Sequence, residues 1–151
     1  MWELLIPLVP IWIGAFLLHE RCHAYAAYAQ GCGWEIQIWF YRWHKLPIPS
    51  MRCIYYGKLQ HVTAFYLAGG YISGLSLLWL TMVFYLYEIY FPVYIWLGTL
   101  GWMNLIYSFY EATHYHLIGT AKYMREKNII YALCASVWLI INIPLFIEYF
   151  S

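Results

Sequence analysis

Charge is what this sequence has least of. Only 10% of its 151 residues are Asp, Glu, Lys or Arg, and the net charge is +1. A soluble domain carries about 25% charged residues. So weak a field gives nucleic acid nothing to bind, and no nucleic-acid partner is expected. Cysteine is sparse too. Cys22, Cys32, Cys53 and Cys134 form no C-x-x-C pair, which argues against a disulfide framework and for free thiols. Internal repeats and low-complexity tracts are absent, so residues 1–151 read as a single domain. What the chain does have is apolar surface: 64% hydrophobic and 23% aromatic residues. A chain this short cannot bury so much in one water-soluble core. Its solvent is expected to be a lipid bilayer.

Four stretches come near the roughly 20 apolar residues that a membrane helix needs: about 4–28, 62–87, 92–110 and 129–149. The expected fold is an all-α polytopic membrane protein with four transmembrane helices. Pro7, Pro10 and Pro92 fall in first turns, where a missing N–H costs least. Gly70 and Gly74 give the second helix a face that a neighbouring backbone can approach closely. Between the first two helices the period changes. Trp34-Glu35-Ile36-Gln37-Ile38 alternates and Ile54-Tyr55-Tyr56 is rich in strand formers, with Pro47 and Pro49 as turn signals. A short β-hairpin or small sheet is expected there, with Trp34, Trp39 and Trp43 at headgroup level and His44 and His61 at the interface.

The few cations are unevenly placed. Arg42, Lys45, Arg52 and Lys58 fall between spans one and two, and Lys122, Arg125 and Lys127 between spans three and four. The opposite side holds Glu3, Glu88 and Glu148. By the positive-inside rule both loops are cytosolic and both termini extracytoplasmic. Ala24-x-Ala26 resembles a signal-peptidase site, but Glu3 stands where a basic n-region belongs.

Late in the first span comes His19-Glu20-Arg21-Cys22-His23. On a helix His19 and His23 share a face one turn apart, so both imidazoles reach one ion. Glu20 projects beside them, placed to activate a water without ligating. Two neutral nitrogens, an open position and a base make a zinc-hydrolase unit. Cys22 is within reach of the same face, though packing is its expected role. A third ligand must come from elsewhere at matching depth. The histidine pair lies about 26–32 Å of helical rise from the outer surface, whereas Asn104, Glu111 and His114 lie at about 18, 29 and 33 Å on the third helix. Glu111 leads as third ligand, with His114 as its close alternative or companion.

These residues resemble the site-2 protease family of intramembrane zinc metalloproteases, and its minimal bacterial and archaeal members. His19-Glu20-Arg21-Cys22-His23 matches the family's first element, Leu67-Ala68-Gly69-Gly70 resembles its Ala-Gly element, and Asn104 resembles its later asparagine. The family's Leu-Asp-Gly is replaced here by Tyr110-Glu111-Ala112-Thr113-His114. The resemblance implies Zn2+ as cofactor, a prokaryotic cell membrane, and hydrolysis of membrane-anchored substrates near the cytosolic face. It also implies Glu20 as base and Asn104 as a catalytic hydrogen-bond donor to substrate or oxyanion. The strand near Trp34–Trp39 is expected to hold the unwound substrate by edge pairing. Two other classes compete: a catalytically degenerate scaffold that binds partners, suggested by the missing Leu-Asp-Gly, and a membrane di-iron oxygenase, suggested by His19-x-x-x-His23. Such oxygenases resemble one another in having several histidine clusters, whereas this chain has six histidines in all.

Overall fold

The structure, a computed structural model, describes residues 5–43, 46–118 and 120–151, without the side chains of 39–43, 46–50, 121 and 124. Glu3, Leu4, His44 and Lys45, and the side chains of Trp39, Arg42 and Trp43, lie outside what is described. In chain order the elements are α1 (Leu8–Tyr28), β1 (Gly33–Trp43), β2 (Leu46–Tyr56), α2 (Val62–Leu86), α3 (Phe91–His114), a 3-10 turn (Tyr115–Leu117), α4 (Ala121–Ile141) and α5 (Ile143–Phe150). The fold is 76% helical, with one two-stranded antiparallel sheet between α1 and α2.

The sheet is longer than the sequence suggested. It pairs continuously from Gly33↔Tyr56 to Trp43↔Leu46, so Pro47 and Pro49 lie inside β2, opposite Arg42 and Phe40, and do not form the turn. A two-stranded ribbon has only edges, and a proline whose nitrogen faces outward costs no ladder bond. Gly31, at φ +73°, turns the chain out of α1, and Gly57, at φ +113°, turns it from β2 toward α2. These conformations suit glycine.

α3 is the central helix, with thirteen buried residues, among them Ile95, Asn104, Tyr107, Ser108 and Glu111. α2 lies against it through glycine. A Cβ at Gly74 would fall 2.7 Å from the Leu105 amide nitrogen, and one at Gly70 would fall 2.5 Å from the Asn104 carbonyl oxygen. α4 covers another flank of α3, where the Trp138 indole donates to the Ile95 carbonyl at 3.1 Å. The expected fourth span is broken. α4 starts at Ala121, so Lys122, Arg125 and Lys127 are helical, and α4 and α5 bend by 56° at Asn142. Pro144, in the first turn of α5, has no N–H to carry the helix through.

Among the described residues one helix, Val62–Leu86, is long and apolar enough to cross a membrane, or up to two if α4 and α5 count as one bent span. α1 and α3 miss that standard because they carry the polar residues of the site, and Trp and Tyr add little hydropathy. The four cysteines are unpaired.

Candidate metal centre

Three helices and one strand build the site. α1 contributes its C-terminal half, α2 its N-terminal half and α3 its C-terminal half, which meet at one end of the bundle. α1 turns His19, Glu20 and His23 inward, all three buried. α3 brings Glu111 to them. Glu111 Oε2 lies 3.6 Å from His19 Nε2 and 3.8 Å from His23 Nε2, and the two Nε2 atoms are 3.1 Å apart. Donor atoms around a tetrahedral zinc at its usual bond lengths are about 3.3 Å apart. His19, His23 and Glu111 are therefore a buried group that could hold a metal ion.

The hydrogen bonds around the group fix what it can bind. His23 Nδ1 lies 2.8 Å from the Phe65 carbonyl, which can only accept, so Nδ1 carries the proton. His19 Nδ1 lies 2.9 Å from Asn104 Oδ1. The orientation of that amide is set by its other end, where Nδ2 donates to the Leu100 carbonyl at 2.9 Å. His19 Nδ1 is then also a donor. Both Nε2 atoms are left as bare acceptors that face each other. Glu111 Oε2 joins them, the one buried side-chain oxygen or nitrogen among the described residues with no hydrogen-bond partner. Three acceptors converging without a donor are unfavourable when buried. A cation resolves all three at once, and donation from the far ring nitrogen to a carbonyl is the usual support for a metal-binding histidine.

Glu20 stands beside the group and outside it. Its Oε2 accepts the Cys53 backbone N–H from β2. The strand at the site is thus β2. β1 meets α1 on another flank, where the Arg21 guanidinium lies 5.5 Å from the Trp34 ring centroid. The expected substrate strand, Trp34–Trp39, belongs to that flank. Burial, with the neighbouring Glu20 carboxylate, pushes the Cys53 thiol up to about 11. Cys22 is buried, as its packing role requires.

No known protein family matches the chain, and neither do the curated proteins or the solved structures. The chemistry must therefore be read from the residues themselves.

One expected site residue lies elsewhere. His114 is outside the group: its ring stacks on Tyr110 with centroids 4.4 Å apart, and its Nδ1 lies 2.8 Å from the Thr113 hydroxyl. The 3-10 turn follows it, and its Nδ1 also lies 3.1 Å from the Tyr110 carbonyl. Asn104 lies at the site with both ends of its amide engaged, one of them orienting His19. Two contributors carried no signal in the sequence: the Phe65 carbonyl and the Cys53 N–H. Gly69 had one, the Ala-Gly pattern, and its role is now plain. A Cβ there would fall well inside contact distance of the His23 ring.

Proposed function

We propose that this chain is an intramembrane zinc metalloprotease, a divergent minimal relative of the site-2 proteases, acting on membrane-anchored substrates near the cytosolic face. The convergence of three bare acceptors, His19 Nε2, His23 Nε2 and Glu111 Oε2, carries this reading, with the Glu20 carboxylate alongside. Two nitrogens and a carboxylate are a catalytic zinc set that leaves a position open.

Lipid as the surrounding solvent is supported by the surface. Its accessible area is 9891 Å², against about 8,100 Å² for a compact soluble chain of this mass. Val9 and Ile13 on α1, Trp79 and Met82 on α2, and Leu133 and Val137 on α4 are all exposed. We read α1, α2, α3 and the bent α4–α5 pair as four spans, with the metal centre at the end that carries the cations.

A zinc ion in this group would polarise a peptide carbonyl and lower the pKa of water. Glu20 takes the proton of the attacking water and passes it to the leaving amine. The Asn104 and Phe65 oxygens keep both Nε2 atoms available as ligands. The group is buried, which strengthens its electrostatics.

The test is direct. Protein purified in detergent is assayed for zinc per chain and for cleavage of a membrane-anchored peptide, as wild type and as Glu20→Gln. Both forms should bind one zinc, and Glu20→Gln should lose at least about a hundredfold in rate. Wild type without zinc would overturn the proposal and leave a partner-binding scaffold.

A further inference from the structure

We propose that Lys127 is the cation that stabilises an anion at the open face of this metal centre; in peptide hydrolysis that anion is the negatively charged oxygen formed on the scissile carbonyl. The inference rests on the proteolytic reading above for its chemistry, and on the position of one ammonium group for its assignment.

Lys127 lies in the first turns of α4 and reaches toward α3. Its Nζ is 5.0 Å from the ring centroid of Tyr107 and 5.5 Å from that of Tyr131. Tyr107 is buried on α3, three residues after Asn104 and one turn before Glu111. The ammonium is therefore level with the residues that build the centre. Tyr107 is itself held in place by the Tyr123 hydroxyl, so the aromatic seat under the lysine is fixed.

What Lys127 lacks is equally informative. Among the described residues it has no carboxylate within 4.0 Å and no hydrogen-bond acceptor, whereas Lys122, five residues earlier, pairs with Glu126 at 3.9 Å. Ring faces attract a cation but accept little of its hydrogen-bonding capacity. A lysine kept beside a buried site in lipid costs several kcal/mol unless it meets an anion. The other candidates for that duty are committed elsewhere. Asn104 orients His19, and Arg21 lies over Trp34 on another flank of α1.

The chemistry balances with residues already named. Water adds to the carbonyl carbon, its proton passes to Glu20, and the C=O π pair moves to oxygen. Lys127 faces that charge without giving up a proton. When the C–N bond breaks, the oxygen pair returns to carbon and the amine takes the proton from Glu20. Charge present only in the transition state and the intermediate is where a preorganised cation acts most strongly.

The experiment uses full-length protein loaded with Co2+, as wild type, Lys127→Met and Lys127→Arg, titrated with thiocyanate and followed by the visible cobalt spectrum. All three should bind one cobalt per chain. Thiocyanate affinity should fall about tenfold in Lys127→Met and stay within about twofold in Lys127→Arg. With membrane-anchored peptide, Lys127→Met should lower kcat and leave KM unchanged. Equal thiocyanate affinity in wild type and Lys127→Met overturns the role of Lys127 alone. Loss of cobalt from Lys127→Met also overturns it, in favour of a structural lysine. Wild type that takes up no cobalt overturns the metal centre, and this inference with it. Wild type that binds cobalt and cleaves nothing removes proteolysis, while a weakened thiocyanate response in Lys127→Met still upholds the anion role.

Discussion

Gly69 on α2 and His23 on α1 touch so closely that a methyl group at position 69 would enter the space of the imidazole, at the Nε2 edge itself. The backbone of α2 is the wall that holds one ring of the candidate metal group in place. Gly69→Ala should therefore push His23 away from Glu111 and lower metal affinity by about a hundredfold, the upper end of what disturbed ligand support costs. Equilibrium dialysis against zinc measures it, and circular dichroism checks that the helices persist. Undiminished affinity would show that the ring and α2 part without consequence.

Asn104 acts through His19. Replacing it by Leu frees the Nδ1 proton to go unpaired and the ring to turn. Zinc affinity should fall about 10- to 100-fold, while Asn104→Asp, which keeps an acceptor oxygen, should recover most of it. Equal affinity in all three forms would mean that the Asn104 bond does not orient the ring.

Metal binding should be visible in stability. Zinc at a hundred times its Kd should stabilise the fold by about 2.7 kcal/mol, read as a higher Tm in detergent. Glu20→Gln should show the same rise, because Glu20 lies outside the donor group. His23→Ala and Glu111→Gln should show none, and a full rise in either would remove that side chain from the ligand set.

Packing of α2 on α3 gives a prediction independent of any metal. A side chain at Gly74 would meet the Leu105 backbone, which cannot swing aside as a flexible side chain does. Gly74→Val should cost about 1–3 kcal/mol through overpacking, lowering the Tm with and without zinc alike. An unchanged Tm would mean that the two helices separate at little cost.

How much of this was legible in sequence depends on distance along the chain. His19 and His23 share a face by local helix geometry, which needs no tertiary knowledge. Glu111 came within reach of depth arithmetic because α1 and α3 run in the same direction. His114 could not be separated from it that way: one turn changes depth by about 5 Å and leaves the direction of the ring undecided. The role of Asn104 depends on which neighbour its amide meets, a rotamer choice that spacing does not encode. Lys127 reads as a loop charge in the sequence because apolar residues begin at Ile129, yet Thr120 caps α4 through the Tyr123 amide at 3.2 Å and so starts the helix two turns earlier. Pro47 and Pro49 signalled a turn because a strand interior normally rejects proline. A ribbon that is all edge does not.

Those two prolines have a consequence for what the ribbon can touch. The Cys53 N–H points away from β1, toward Glu20, and in the unbroken register every second residue of β2 shares that direction: Pro47, Pro49, Met51 and Tyr55. The distal stretch of this outer rim is thus mute, with no amide hydrogen to offer. Only the stretch from Met51 to Tyr55, about 13 Å long, can converse with another backbone, and its middle amide is already promised to the carboxylate of Glu20. An extended chain that zips onto β2 must do so at the root of the ribbon, in competition with the Glu20 carboxylate, the proposed base.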